Sequence, residues 1–124
     1  RTPDQIFPAE LLHPSVELIV TTEDGRLGEQ GRVTAPFARL LPWCDQAFTC
    51  GPEPMFEALY GALRDSGLRK PVQGLWEGRM ACGMGICYSC VVKVRDTESP
   101  AGWDYRRVCV DGPTFAAEDL VEFA

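Results

Sequence analysis

Three cysteines within nine residues constrain this chain more than any other feature. They are Cys82, Cys87 and Cys90, in the spacing C-x4-C-x2-C, and Cys109 follows at a distance. Each iron of a two-iron, two-sulfide cluster needs a tetrahedron of sulfurs, two of them bridging sulfides and two of them thiolates. One tight loop can supply three thiolates, and the fourth must return from elsewhere in the fold. The spacing therefore predicts a [2Fe-2S] cluster held by these four residues.

Two glycines inside the cysteine loop fit this chemistry. Gly83 and Gly85 permit a positive φ, so backbone amides can approach the sulfides without a clash from a Cβ atom. Such hydrogen bonds help to set the potential of a cluster. Zinc is the alternative metal, although structural zinc sites usually combine two C-x2-C pairs and only Cys87 and Cys90 have that spacing. Disulfides or free thiols are a further alternative.

The composition disfavours several other classes of function. The chain has 124 residues, of which 45% are hydrophobic, and a net charge of −6, whereas a nucleic-acid surface usually needs a basic excess. No apolar run approaches the roughly 18 residues of a membrane helix, and no signal peptide is recognisable. Six cysteines without an export signal indicate a metal site in a cytoplasmic protein. A single histidine and the lack of a G-x-S-x-G motif give hydrolytic triads little support.

Alternating apolar and turn-forming segments predict an α/β fold. Strands are expected over residues 16–22, 47–50 and 71–77, and helices over residues 33–41 and 54–66. Helices between strands require crossover connections, so these strands should be parallel, with ligands at their carboxyl ends.

The chain is expected to divide near residue 78. Residues 1–78 should form part of a doubly wound parallel sheet, with three strands where five or six are usual and no glycine-rich phosphate loop. Residues 79–124 should form a small β-rich cluster domain with strands over residues 91–94 and 107–110 and one or two helical turns within residues 115–123. We therefore expect the carboxyl-terminal piece of a longer protein.

A second candidate site lies where the predicted strand 47–50 ends, in Cys50-Gly-Pro-Glu-Pro-Met55. Backbone amides at the start of the next helix can face a nucleotide or nicotinamide there, and Gly51 leaves room for it. A cysteine at a strand end is just as often part of the core. Both interpretations stay open.

Three stretches resemble one family, the electron transfer subunits of the NAD-dependent, B-type dihydroorotate dehydrogenase. These stretches are Cys50–Met55, Arg79–Cys90 and Arg107–Pro113, and the segment Thr22–Gly31 is similar to that family as well. The resemblance extends from about Pro8 onward, and the cysteine block is its most specific part. The segment between Cys90 and Cys109 is longer than usual for the family.

The resemblance implies a ferredoxin-reductase-like module made of a flavin-binding β-barrel, a nicotinamide-binding α/β domain and an iron–sulfur domain. This chain would contain the last part and half of the second, while FAD would bind to the barrel, which this sequence does not include. The implied cluster ligands are Cys82, Cys87, Cys90 and Cys109, and the implied residues of the NAD site are Cys50, Gly51, Pro52, Glu53 and Met55.

The resemblance also implies a partner, the FMN-containing catalytic subunit of dihydroorotate dehydrogenase, in a hetero-oligomer of pyrimidine biosynthesis. No dihydroorotate chemistry is expected on this chain. A flavin is needed because nicotinamide delivers two electrons as hydride, whereas an iron–sulfur cluster takes one at a time. Met84, Ile86 and Tyr88 are expected to make the cysteine loop part of an apolar subunit interface.

A related branch contains the small subunits of NADPH-dependent ferredoxin oxidoreductases and sulfide dehydrogenases. There an aspartate typically opens the pattern D-x4-C-x2-C, so Cys82 favours the dihydroorotate branch. A stand-alone ferredoxin-like module and a zinc-stabilised interaction domain are the remaining alternatives.

Overall fold

The computed structural model describes residues 6–121 as a mixed α/β structure with three small sheets. The strands are β1 (Thr21–Thr22), β2 (Glu29–Gln30), β3 (Ala47–Cys50), β4 (Val72–Leu75), β5 (Val91–Arg95), β6 (Trp103–Arg107) and β7 (Thr114–Ala116). The α-helices are α1 (Thr34–Leu40), α2 (Glu53–Asp65) and α3 (Val108–Asp111). No helix in this part of the chain is long and apolar enough to cross a bilayer.

The contacts divide the chain into two units, residues 1–40 and residues 41–124. The expected boundary between residues 78 and 79 lies inside the second unit and stays a prediction about domain organisation. Within the second unit, β7 pairs with β4, so a strand from the carboxyl-terminal region joins the sheet of the expected nicotinamide-binding half.

The first unit contains a short parallel pair, in which Thr21 lies opposite Glu29 and Thr22 opposite Gln30. Thr22 is buried, and its hydroxyl donates to the carbonyl oxygen of Leu27 at 2.8 Å. The predicted strand over 16–22 is confirmed only at its last two residues. Residues 16–20 join no strand in the described part of the chain. The pairing with β2 begins only at the Val20 carbonyl oxygen, which accepts the backbone N–H of Glu29 at 2.9 Å.

The main sheet of the second unit has the order β3-β4-β7. Strands β3 and β4 are parallel, from Ala47 opposite Val72 to Cys50 opposite Leu75, and α2 makes the crossover between them. This parallel pair was predicted. Strand β7 is antiparallel to β4, and β1 and β2 lie in another sheet, so a doubly wound arrangement is not established for this chain.

Helix α2 begins and ends close to where the sequence predicts. Pro54 lies in its first turn, where a missing N–H costs no helical hydrogen bond. Its apolar face buries Phe56 and Tyr60, which pack over Gly74 of β4. A Cβ atom at Gly74 would lie 2.9 Å from the Phe56 ring and 2.9 Å from the Tyr60 hydroxyl oxygen. Phe56 also stacks on Trp76, with ring centroids 5.0 Å apart.

The second sheet of this unit is the antiparallel hairpin β5–β6, paired from Val91 opposite Arg107 to Arg95 opposite Trp103. One face of the hairpin packs into a core of residues buried to 9% exposure or less. These are Cys90, Val92, Val108, Phe115 and Leu120.

One prediction for the carboxyl-terminal region is wrong, and another is confirmed only in part. The expected strand 107–110 ends at Arg107, and Val108–Asp111 forms a helical turn instead. The reason is that the Asp111 carboxylate accepts the backbone N–H of Arg107 at 2.7 Å, which closes the turn. The tail over 115–123, expected to form one or two helical turns, has a strand at Thr114–Ala116 and then a single 3-10 turn at Ala117–Asp119, and residues 122–124 lie outside the described part.

Candidate metal centre

The cysteine loop connects β4 to β5 and is closed at its base. The hydroxyl of Ser89 donates to the carbonyl oxygen of Arg79 at 3.0 Å, so the two ends of the loop are held together. Cys90 follows directly, buried at the start of β5. Cys109 reaches the same place because the backbone N–H of Val108 donates to the carbonyl oxygen of Cys90 at 2.8 Å.

The structure places the four predicted ligands on two neighbouring segments. Cys82, Cys87 and Cys90 lie on one loop, and Cys109 packs against the core that contains Cys90. All four are free thiols, and Cys87 is the exposed member of the set. Within residues 6–121, no three His, Cys, Asp or Glu side chains form a group that could hold a metal ion as they stand. Two pairs of thiolates are the donor set that two irons bridged by sulfide require.

Backbone amides of the loop converge on Cys82. The N–H of Met84 donates to the Cys82 Sγ at 3.5 Å, and the N–H groups of Cys87 and Ile86 also contact this sulfur. These hydrogen bonds, with that of Met84 the largest contribution, lower the pKa of the Cys82 thiol to about 6. Because the thiolate is the form that binds metal, the loop favours the ligating state at this position.

Cys109 has the opposite electrostatic environment. Burial raises the pKa of its thiol, and the contact with Cys90 raises it further. Two thiols pressed together in a partly buried place each oppose ionisation of the other, since like charges there are poorly screened. A bound cation removes that repulsion, so this pair fits a metal better than it fits two free thiolates.

The two loop glycines have the backbone conformation that the sequence predicts. Gly83 has φ of +68° and Gly85 has φ of +83°, values that side chains with a Cβ atom rarely adopt. At Gly85 there is also little space, because a Cβ atom would lie 3.0 Å from a methyl group of Val110. Tyr88 shares the positive φ, at +55°, without being glycine, so the loop holds strain on its outer side.

Sequence reasoning did not identify Arg107 and Asp111 as part of this site. The guanidinium of Arg107 donates to the carbonyl oxygen of Gly85 at 3.1 Å and to both oxygens of Asp111 at 3.0 and 3.2 Å. It also lies 5.4 Å from the ring centre of Tyr88. The signal that could have found them is the opposite charges four residues apart, on either side of Cys109.

The outer surface of the loop is apolar and exposed, as predicted. Met84, Ile86 and Tyr88 are 66%, 73% and 56% exposed. On the inner side, Trp76 packs against the core that contains Cys90. The loop therefore lies between a buried apolar core and an exposed apolar rim.

The second candidate site lies at the carboxyl ends of β3 and β4. Cys50 is exposed beside Leu75 in the parallel register. A cavity of about 240 Å³ opens there, which is small against the roughly 300–1,000 Å³ of most ligand pockets. Its lining combines the start of α2 with the residues after β4: Gly51, Pro52, Glu53, Phe56, Trp76 and Glu77. Met55 is not in the lining, although its side chain lies over Gly51, 2.4 Å from where a Cβ atom would be.

Comparisons with known proteins bear on both sites. Residues 77–121 match the family model described as the iron-sulfur cluster binding domain of dihydroorotate dehydrogenase B. A protein of Caldanaerobacter subterraneus subsp. tengcongensis named "Dihydroorotate dehydrogenase B (NAD(+)), electron transfer subunit" is 38% identical over 117 residues, covering 94% of this chain and 45% of the relative. A protein of the same name from Fusobacterium nucleatum is 36% identical over 121 residues, covering 94% and 43%.

A solved structure of an NADH-dependent reduced ferredoxin-NADP oxidoreductase, studied for flavin-based electron bifurcation, has a similar fold. The TM-score is 0.69 and the identity 27%, covering 93% of this chain and 39% of that chain. This chain thus spans less than half the length of the curated relatives it matches. These matches confirm the resemblance drawn from the cysteine block and the two stretches beside it.

Proposed function

We propose that this chain, a relative over most of its length of the electron transfer subunits of dihydroorotate dehydrogenase B, carries electrons through a [2Fe-2S] cluster between a partner flavoprotein and NAD. The single observation that supports this most is the fold around the cysteines: three lie on one glycine-bearing loop, and the hydrogen bond from the Val108 N–H to the Cys90 carbonyl oxygen brings Cys109 to that loop. A redox role is common to the relatives, which are electron transfer subunits by name.

The residues present fit the cluster. Cys82 with Cys87 would hold one iron and Cys90 with Cys109 the other, since the first two share one loop and Cys109 packs against the core that contains Cys90. When bound, the cluster supplies a site that stores one electron at a time. The chain's own contribution is to present thiolates, to aim backbone N–H groups at the sulfurs, and to keep water from the inner side through the core around Cys90.

The C-G-P-E-P-M stretch is the proposed contact with NAD. Cys50 and Gly51 lie at the carboxyl ends of two parallel strands and at the start of α2, which is the position where such folds bind dinucleotides. Pro52, Glu53 and Met55 complete the stretch. The small cavity there suits one end of the cofactor, and FAD together with the rest of the site would belong to the part of the relatives that this chain does not span.

The exposed rim of the cysteine loop is the proposed interface with the partner. Met84 and Ile86 are uncovered next to the cluster ligands, and electron transfer needs the cluster close to the partner surface. We propose the FMN-containing catalytic subunit of dihydroorotate dehydrogenase as that partner, in a hetero-oligomer. The division into 1–78 and 79–124 and a cytoplasmic location belong to the same proposal.

A second candidate is the small subunit of a ferredoxin or sulfide oxidoreductase that uses NADPH. The likeness to the solved ferredoxin-NADP oxidoreductase favours it, whereas Cys82 in the first ligand position and the higher identity to the dihydroorotate relatives favour the first proposal. Reduction of the cluster by a dihydroorotate-reduced flavoprotein, and not by reduced ferredoxin, would decide for the first.

The test of the metal itself is an analysis of the purified chain after anaerobic reconstitution. We expect about two irons and about two acid-labile sulfides per chain, with a reddish-brown colour. A colourless protein with about one zinc per chain would support the zinc-stabilised interaction domain instead.

A further inference from the structure

A strip of alternating aromatic rings and cations runs along one face of the β5–β6 hairpin. Lys93 lies opposite Tyr105 and Arg95 opposite Trp103 in the register, and residues paired directly across an antiparallel ladder point to the same face. Arg107, two residues beyond Tyr105, shares that face.

The members of this strip contact one another. The Lys93 ammonium lies 4.7 Å from the ring centre of Trp103, and the rings of Trp103 and Tyr105 meet edge to face at 5.1 Å. Arg107 lies over the ring of Tyr88, so the strip is continuous with the apolar rim of the cysteine loop. We call this surface the cationic strip: Tyr88, Lys93, Arg95, Trp103, Tyr105 and Arg107.

The carboxylates of the hairpin belong to its other face. Asp104 and Asp96 both pair with Arg106, whose side chain points away from the strip because it alternates with those of Tyr105 and Arg107. Among residues 6–121, no carboxylate forms an ion pair with Lys93 or Arg95. The strip thus presents two cations without counterions in a chain whose net charge is −6.

This composition is that of a protein-binding surface. Tyr, Trp and Arg are the residues most enriched at the energetic centres of interfaces, and a local charge opposite in sign to the rest of the chain orients an approaching partner. Along the five paired positions the strip is roughly 17 Å long, enough to extend a contact that begins at the loop rim.

We propose that the cationic strip docks a carboxylate-rich surface of a partner protein beside the cysteine loop. Lys93 and Arg95 steer the partner, and Trp103 and Tyr105 supply the packed contact. The identity of the partner rests on the proposed function, because the surface that receives electrons must reach the loop at which the strip ends.

The first experiment measures binding without any redox step. A fluorescent, glutamate-rich peptide is titrated with the full chain at low ionic strength, and a lysine-rich peptide of equal length serves as the control probe. We expect the glutamate-rich peptide to bind in preference, despite the net charge of −6. The double variant Lys93→Gln with Arg95→Gln should bind it about tenfold more weakly.

A matched variant controls for the loss of charge. Arg69→Gln with Lys70→Gln removes the same two charges from the segment after α2, outside the hairpin, and should change the affinity less than about twofold. Equal weakening by both double variants, or no binding by the wild type, overturns the proposal. Binding of a single-stranded oligonucleotide by the cationic strip, without binding of the glutamate-rich peptide, would also overturn the proposal.

The second experiment uses the reconstituted chain and the dihydroorotate-reduced catalytic flavoprotein. In the double variant Lys93→Gln with Arg95→Gln, the apparent KM for the flavoprotein should rise several-fold and should depend less on the salt concentration. The rate at saturating flavoprotein should stay unchanged. An unchanged KM in the strip variant overturns the proposal. If the flavoprotein fails to reduce the wild-type chain, the proposed function is wrong. The peptide titration then still tests whether the cationic strip binds a carboxylate-rich surface.

Discussion

The guanidinium of Arg107 donates a hydrogen bond to the backbone carbonyl oxygen of Gly85, 3.1 Å away. These residues come from the end of β6 and from the middle of the cysteine loop, 22 positions apart in the chain. Because Arg107 is also held by both oxygens of Asp111, it fixes the loop against the turn that carries Cys109.

Replacing Arg107 by lysine should loosen this connection. Lysine keeps the charge and loses the planar fork that reaches Gly85 and Asp111 together. We expect the visible absorption of the cluster to bleach several-fold faster in the presence of a chelator. Arg106→Lys, on the next residue and the other face of β6, is the control and should bleach at the wild-type rate. If Arg107→Lys bleaches at the same rate as the control, the Arg107 side chain does not hold the cysteine loop in place.

Serine substitutions should distinguish the cysteines that bind the cluster from those that do not. Changing Cys82, Cys87, Cys90 or Cys109 should abolish the wild-type visible spectrum or alter it strongly, since four thiolates complete the donor set. The controls are Cys44→Ser and Cys50→Ser, which should keep full iron content. Loss of iron in either control, or an unaltered spectrum in any one of the four, would show that the ligand set is different.

Alanine at the two loop glycines should have unequal effects. At Gly83 an alanine would be strained only by the positive φ, because no atom lies within 4 Å of the added Cβ. The substitution should lower the free energy of unfolding by about 1 kcal/mol. At Gly85 the same strain adds to a 3.0 Å approach to Val110. We therefore expect Gly85→Ala to lower the midpoint of thermal unfolding further, and Val110→Ala to relieve part of the loss. Equal midpoints for the two variants would mean that this packing is absent.

The ion pair between Glu29 and Arg39 makes a prediction about pH. The Arg39 guanidinium donates to the Glu29 carboxylate at 2.6 Å and holds its pKa below the usual 4.5. A carboxyl group with a lowered folded-state pKa stabilises the protein above its unfolded pKa, and this stabilisation is lost as the pH falls through the folded value. Since the pair is exposed, the effect is small and screened by salt.

The corresponding measurement compares thermal unfolding of the wild type and Glu29→Gln at about pH 6 and about pH 3. The variant should be less stable at the higher pH, and the difference should shrink at the lower pH. Glu17→Gln removes a carboxylate that has no ion pair among the described residues and serves as the control. A difference that grows on acidification would contradict the direction of this shift.

Local signals in the sequence predicted much of the fold and the candidate site. The cysteine spacing and the glycines between them are short-range features, and Gly83 and Gly85 have the positive φ that they imply. Helix α2 was predicted because Pro54 and Gly67 mark its ends within the segment itself.

The failures all involve contacts that the local sequence pattern does not specify. Residues 16–20 have the composition of a strand, but β2 pairs with the chain only from Val20 onward, and composition does not specify where a partner strand begins. The turn at Val108–Asp111 depends on which backbone N–H the Asp111 carboxylate accepts. The role of Arg107 depends on reaching Gly85 across the fold, and only the structure places these two together.

Paramagnetic resonance at low temperature tests the central claim most directly. After anaerobic reconstitution and reduction with dithionite, the full chain should give the signal of a one-electron-reduced two-iron cluster, integrating to about one spin per chain. The signal should be lost or changed when Cys109 is replaced by serine. A wild-type chain that stays silent after reduction would contradict the account.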